Sequence, residues 1–184
     1  MIPCNCIVAD PPWRFSDKLP GKGRGAEKHY GCLTLAEIVA FDLPKLADDA
    51  WLFLWRVGAM QTEALTVAKA WGFNPPTSEI VWVKSHGMVC DNGDGAQMGM
   101  GRTVRNCHEV CLVCRRGKPL RASASVKSVI VAPRGKHSEK PDLFYEQVDK
   151  LVGDKARVVE LFARRHWPGW ACFGDQLPAV TSAE

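Results

Sequence analysis

The 184-residue sequence predicts an α/β domain whose sheet is mainly parallel and covered by helices on both faces. Two observations carry that prediction. Short, continuous apolar runs recur along the chain, as expected of strands with both faces buried. Segments with helical apolar spacing alternate with them.

The first strand is read at Cys6 to Ala9. It stops at Asp10-Pro11-Pro12-Trp13, because two prolines cannot donate to a ladder and they hold Asp10 out of helical geometry. Ser16 to Tyr30, with glycines alternating with basic residues, reads as a loop. Thr34 to Leu46 is predicted as a helix with a capping box, Thr34 at the N-cap and Glu37 three residues on, and Pro44 breaks or ends it. Ala50 to Trp55 is a continuous apolar strand, Met60 to Trp71 a helix stopped by Gly72, and Glu79 to Lys84 a third strand. Glycines at 87, 93, 95, 99 and 101 make 85–106 loop-like. His108 to Cys114 follows as a strand, Arg115 to Pro119 as a basic turn, and Ser128 to Ala132 as another strand. Pro141 to Leu151 is an amphipathic helix ended by Gly153. Arg157 to Phe162 and Trp170 to Gly174 complete the sheet, and a tail from Pro178 to Glu184 is expected to fray. Residues 1–184 are read as one domain.

Hydrophobic residues at 46% and charged residues at 24% describe an ordinary globular protein, which excludes a disordered or fibrous chain. The net charge of +4 suits a polyanionic partner without requiring one. No apolar run is long enough to span a bilayer, and Met1-Ile2-Pro3-Cys4 lacks the features of a secretory signal, so a cytoplasmic location is expected. Of the eight cysteines, Cys107, Cys111 and Cys114 form the densest cluster. On a strand, residues three apart point to opposite faces, so Cys111 and Cys114 are poor joint ligands. No second Cys-x2-Cys completes a zinc site, and no metal is expected.

The turn after the first strand is the candidate site. A rigid extended turn holds the Asp10 carboxylate and the carbonyls around Pro11 close to the flat ring of Trp13. A planar group with an amino edge could stack on the ring and donate to the acceptors; adenine and cytosine both answer that description. Asp10 and Glu160 both lie at strand C-terminal ends, where open α/β sheets bind ligands. Lys18, Lys22, Arg24 and Lys28 in the first loop, and Arg102 and Arg105 at the end of the second, are candidate phosphate contacts. Gly99-Met100-Gly101 is not a dinucleotide fingerprint, because the strand and helix that should flank it are lacking.

Ala9-Asp10-Pro11-Pro12-Trp13 resembles the catalytic motif of adenine amino-methyltransferases. It looks like the family that contains the catalytic subunit of the mRNA adenosine methyltransferase and its bacterial and phage relatives. Further stretches resemble that family in the same order: Leu52-Phe53-Leu54-Trp55, Glu79 to Lys84, Gly101-Arg102-Thr103 and His108-Glu109 with Cys111-Leu112-Val113. Val129 to Ala132, Lys140-Pro141-Asp142 and Glu160-Leu161-Phe162-Ala163-Arg164 continue the series. The resemblance covers Ile7 to Leu177.

The resemblance implies a Rossmann-like methyltransferase dependent on S-adenosylmethionine, in the permuted order with the catalytic motif first. It implies that Asp10 and the Pro11 carbonyl accept hydrogen bonds from the target amine, with Pro12 shaping the turn and Trp13 or its neighbours stacking on the base. It further implies cofactor contacts from Ala9, Asp10, Lys140, Glu160, Phe162, Arg164, His166, Asp175 and Gln176, with S-adenosylhomocysteine as product and no metal. Asp175 stands where relatives often carry asparagine. An upstream segment of relatives that helps hold the cofactor's adenine is expected to be missing, and neither a target-recognition domain nor a zinc-finger extension is evident. The expected reaction is methylation of the adenine amine in DNA, of phage or bacterial type, with a homodimer able to supply recognition surface. The alternatives are RNA adenosine methylation and a non-catalytic nucleic-acid-binding subunit. Cytosine is disfavoured, since cytosine-amine sites in such enzymes typically begin with Ser.

Overall fold

The computed structural model describes residues 2–14, 31–87, 89, 95–99, 103–135 and 139–178. Seven strands and three helices follow one another as β1 (Cys4–Ala9), α1 (Leu35–Val39), β2 (Leu46–Arg56), α2 (Gln61–Ala70), β3 (Ser78–Lys84), β4 (His108–Arg116), β5 (Val129–Ala132), α3 (Asp142–Val152), β6 (Val158–Leu161) and β7 (Ala171–Phe173). They form one sheet in the order β5-β3-β4-β2-β1-β6-β7.

The sheet is mixed. β4 runs antiparallel to both β2 and β3, while the pairings β1–β2, β1–β6, β3–β5 and β6–β7 are parallel. The expectation of a mainly parallel sheet therefore holds outside β4. The reversal has a functional consequence: it brings the first residues of β4 to the same end of the sheet as the last residues of β1 and β3.

Side-chain alternation sorts the core into two layers. Ile7, Ala9, Leu52, Leu54, Leu112 and Cys114 face α1 and α2, where they meet Ile38, Ala64, Val67 and Trp71. Cys6, Val8, Phe53, Trp55, Cys111 and Val113 face α3 and its Phe144, Tyr145 and Val148. Cys111 and Cys114 thus lie on opposite faces, as the strand reading requires. A register shift between Cys4 and Cys6 puts those two on different faces despite their even spacing.

Several boundaries differ from the sequence reading, the start of β1 at Cys4 rather than Cys6 among them. The capping box at Thr34 and Glu37 is present, but α1 closes at Val39 and Leu46 belongs to β2. Extension of β2 back to Leu46 follows from pairing, since Leu46 is the register partner of Cys4 and the Lys45 carbonyl accepts from the Cys4 N–H. Arg115 and Arg116 lie in β4 rather than in a turn, opposite Trp51 and Ala50. Gly117 turns the chain there with φ +61, where an added Cβ would strike Asp49 and the Asp48 carbonyl.

β1 is the strand at which the winding reverses. The chain leaves it through α1 to β2 on one side, and α3, on the opposite face, leads into β6 on the other. In open α/β sheets such a switch point opens a crevice beyond the strand C-termini. Asp10 follows β1 directly, and the register pairs Val8 with Glu160 and Ala9 with Leu161. The two carboxylates therefore share the mouth of that crevice.

Candidate functional site

The turn after β1 is fixed from both sides. Trp13 N–H donates to the Pro11 carbonyl (2.8 Å), Leu33 N–H to the Pro12 carbonyl (2.9 Å) and Arg14 N–H to the Leu33 carbonyl (3.0 Å). The Pro11 carbonyl is thus not free, as the sequence reading had it, but a carbonyl has two acceptor sites and keeps one. Trp13 is also less available than expected. It is 4% exposed, and its indole N–H donates to the Trp55 carbonyl (3.0 Å). The ring packs in the α1–α2 layer and borders the cleft, so it locks the turn rather than offering an open face.

A cleft of about 380 Å³ opens over Asp10, Pro11 and Pro12, bounded by Arg56, Lys84, His108, Glu109 and Lys140 among others. Within it lies a chain of alternating charges. Lys140 Nζ donates to Asp10 Oδ2 and to Glu109 Oε2, both at 2.9 Å, and Lys84 Nζ pairs with Glu109 Oε1 at 2.6 Å. Lys140 is itself almost fully buried and sits 4.7 Å from the centroid of the Trp55 ring. Burial pushes the Glu109 carboxyl up, but Lys140 and Lys84 outweigh it and hold it at about 2. Lys140 follows the same logic: burial works against its charge, and Asp10 and Glu109 raise its pKa nonetheless. Both groups stay ionised at neutral pH, and Asp10 is anchored through one oxygen.

Glu109 belongs to a stretch that resembles the family, but sequence reasoning gave it no role in the site. Its place depends on the antiparallel course of β4, which pairs it with Trp82 and sets it beside Lys84 at the end of β3.

On the other side of Asp10 lies a narrow space of about 10 Å³ bordered by Tyr145, Glu160, Phe162, Arg164 and Arg165. Asp10, Lys140 and Arg164 border both spaces, which are thus adjacent. Glu160 is 4% exposed and accepts from the Tyr145 hydroxyl at 3.0 Å. Burial, with Asp10 adding to it against the Tyr145 hydrogen bond, pushes its carboxyl up to about 7. The chain then enters the left-handed region at Phe162, φ 60, a costly conformation for an aromatic residue and one concentrated at functional sites. Phe162 packs on Phe41 with ring centroids 4.7 Å apart. Gly174 makes this bend possible, because an added Cβ would strike the Ala163 carbonyl and the Phe162 backbone.

Arg165, also unforeseen, closes this side. It pairs with Asp142 at 2.6 Å and lies over the Tyr145 ring at 4.4 Å. Tyr145 in turn stacks on Trp167, and both Trp167 and Trp170 donate their indole N–H to Asp149.

The structure therefore brings together Ala9, Asp10, Pro11, Pro12, Trp13, Lys140, Glu160, Phe162 and Arg164. It does not bring in four others. His166 is exposed with Nε2 3.1 Å from the Pro178 carbonyl, and Asp175 and Gln176 are exposed on a turn that borders neither space. Arg105 is exposed outside the cleft, whose nearby wall is Asn106 and His108. Lys18, Lys22, Arg24, Lys28 and Arg102 lie outside the described residues. Among the described residues no group of three or more His, Cys, Asp or Glu is placed to hold a metal, and no helix is long and apolar enough to cross a membrane.

The raised Glu160 pKa predicts a pH dependence. A carboxyl whose folded pKa exceeds its unfolded value stabilises the fold below the unfolded value and loses that contribution as pH rises, here between about 4.5 and 7. Glu160→Gln is expected to flatten that decline and to melt higher than the parent at pH 8. Parallel stability–pH profiles for the two proteins would show that Glu160 is not the titrating group.

An open α/β sheet with acidic and aromatic groups gathered at its switch point is the arrangement in which α/β proteins bind ligands. Comparison with known proteins narrows this: the chain belongs to the MT-A70 methyltransferase family, whose model matches residues 4–176. It is 32% identical over 177 residues to the N(6)-adenosine-methyltransferase catalytic subunit METTL3 of Homo sapiens, covering 95% of this chain and 28% of that protein. A Drosophila melanogaster MT-A70-like N(6)-adenosine-methyltransferase is 31% identical over 177 residues, with 95% and 27% covered. The type II methyltransferase M.MunI of Mycoplasma sp is 29% identical over 191 residues, with 94% and 77% covered. The chain thus spans little more than a quarter of the METTL3-type proteins it matches and about three quarters of M.MunI.

Proposed function

We propose that the protein transfers a methyl group from S-adenosylmethionine to the exocyclic amine of adenine in DNA. The observation that carries this reading is the Asp10 carboxylate, set at the end of β1 by a rigid turn, bordering the cleft and tethered through Oδ2 to Lys140. Similarity to a type II methyltransferase over most of both chains favours DNA over RNA.

The donor set suits the cofactor. Glu160 offers acceptors for ribose hydroxyls, Phe162 an aromatic wall, and Gly174 the side-chain-free position that lets the wall bend. Lys140 and Arg164, which border both spaces, would stand between cofactor and target. When bound, S-adenosylmethionine supplies a methyl already activated on a sulfonium, so the protein's task is orientation. An aromatic amine has its lone pair delocalised into the ring. Hydrogen bonds from its two protons to Asp10 and to the remaining acceptor site of the Pro11 carbonyl favour a pyramidal, nucleophilic nitrogen and stabilise the positive charge that grows on it. Lys140 keeps Asp10 oriented, and Glu109 keeps Lys140 charged between two carboxylates. A base in duplex DNA must leave the stack to reach this cleft.

The polymer is tested by incubating the protein and labelled cofactor with equal concentrations of duplex DNA and RNA of random sequence. Label is expected predominantly in DNA. Label confined to RNA overturns the choice of polymer while leaving the reaction class in place.

A further inference from the structure

From Val110 to Gly135 the chain carries Arg115, Arg116, Lys118, Arg121, Lys127 and Arg134 and no acidic residue. Those six charges exceed the net +4 of the whole chain, so the remainder is net acidic. The excess is not scattered in space. Arg115, Arg121 and Lys127, all exposed, border a groove of about 390 Å³ at the end of the sheet opposite the cleft. The N-terminal residues of β3, Ser78 and Glu79, form its floor, whereas Lys84 at the other end of the same strand borders the catalytic cleft. Glu79 is the acid among the residues described there, and it pairs with Arg56 at 3.5 Å.

β5 joins the two sites along the sheet edge. Lys127 stands just before it at the groove, and Arg134, just after it, borders the cleft. Seven residues of largely extended chain span about 20 Å. One strand of a duplex presents a phosphate every ~3.4 Å of axis, so this run matches about six base pairs. Trp51 adds an aromatic flank in the groove, held by its indole N–H to the Leu120 carbonyl (2.9 Å).

We propose that the β5 edge is a track for the nucleic-acid backbone, which runs from the catalytic cleft at Arg134 to a second phosphate-binding groove at Arg115, Arg121 and Lys127. The proposal rests on the nucleic-acid reading above and adds a contact surface to it. Val129 and Val131 between the two ends are exposed and would also suit a protein surface. The charges of 110–135 are all of one sign, which decides for a polyanion, since such charge repels a second copy of itself.

The test uses the full chain and a fluorescent 30-base-pair duplex, with binding read by anisotropy across a salt series and methyl transfer read separately. Arg115→Glu, Arg121→Glu and Lys127→Glu are combined. A charge-matched control combines Lys45→Glu, Lys69→Glu and Lys155→Glu, at exposed positions that line neither the groove nor the cleft. The groove variant is expected to bind roughly tenfold or more weakly near physiological salt and to flatten the log–log salt slope by about 2 to 3, while the control changes either far less. Transfer by the groove variant should show a raised KM for the duplex and an unchanged kcat. Equal effects of the two variants, or unchanged binding by the groove variant, overturn the track. So does a groove variant that loses self-association in sedimentation while binding DNA normally, which would mark the face as a protein interface. Duplex binding that depends on the groove but yields no methyl transfer by the parent would instead overturn the proposed reaction and leave the track standing.

Discussion

Replacing Asp10 by Asn is expected to lower the methyl-transfer rate by about 10²–10³-fold with little change in cofactor affinity. The figure is that found when a single group aimed at developing charge is removed from an enzyme site. Asn preserves size and keeps an oxygen for Lys140, whose bond to Asp10 Oδ2 is 2.9 Å long. What it changes is the other atom, which turns from acceptor to donor and meets the protons of the amine head on. The measurement is single-turnover transfer with parent and variant at saturating cofactor, alongside calorimetric titration of the cofactor. A rate within threefold of the parent would remove Asp10 from the chemistry.

The second large effect concerns Lys140. Lys140→Met leaves Asp10 and Glu109 facing a buried apolar chain in place of the cation that both contact. Breaking a buried ion pair from one side costs about 3–5 kcal/mol. Because Asp10 and Glu109 are themselves partly exposed, the low end applies, and a loss of ~3 kcal/mol lowers Tm by about 6–12 °C in a chain of this size. The deficit should shrink in acid. In the parent, Glu109 is held at about 2, so its contribution is complete above the ordinary carboxyl value and is lost as pH falls from about 4.5 to 2. In the variant that depression is weakened, and the two stability curves converge toward low pH. A double variant, Lys140→Met with Glu109→Gln, should recover part of the loss at neutral pH. A parallel offset of the melting curves at every pH would show that lost packing, not charge, sets the effect.

Much of the fold is legible in the sequence because it rests on local signals. The capping box at Thr34 and Glu37, the apolar strands at Cys6 and Ala50, and the stripe of α3 are each encoded within a few residues. The early start of β2 is not, since Leu46-Ala47-Asp48-Asp49 is half polar and becomes strand through its pairing with β1. Strand direction is a property of the whole sheet, and β4 shows the cost of not knowing it. Glu109, which the family resemblance includes without a role, reads as a strand-start carboxylate until the antiparallel course places it between Lys84 and Lys140. The site divides in the same way. Asp10, Lys140 and Glu160 follow strand ends or a helix start and are readable from position. His166, Asp175 and Gln176 lie in the irregular chain around β7, where side-chain direction is set by tertiary contacts such as the His166 bond to Pro178. Trp13 was legible as a neighbour of the site, but whether its ring faced the cleft or the core depended on Trp55, more than forty residues away.

In the proposed reaction the Asp10 carboxylate at the end of β1 presents an adenine amine for methylation. The most direct measurement is mass analysis of nucleosides from DNA treated with the parent protein, with Asp10→Asn and with cofactor alone. N6-methyldeoxyadenosine is expected with the parent, and a hundredfold or greater reduction with the variant. Methylcytosine in place of methyladenine, or equal yields from parent and variant, would contradict it.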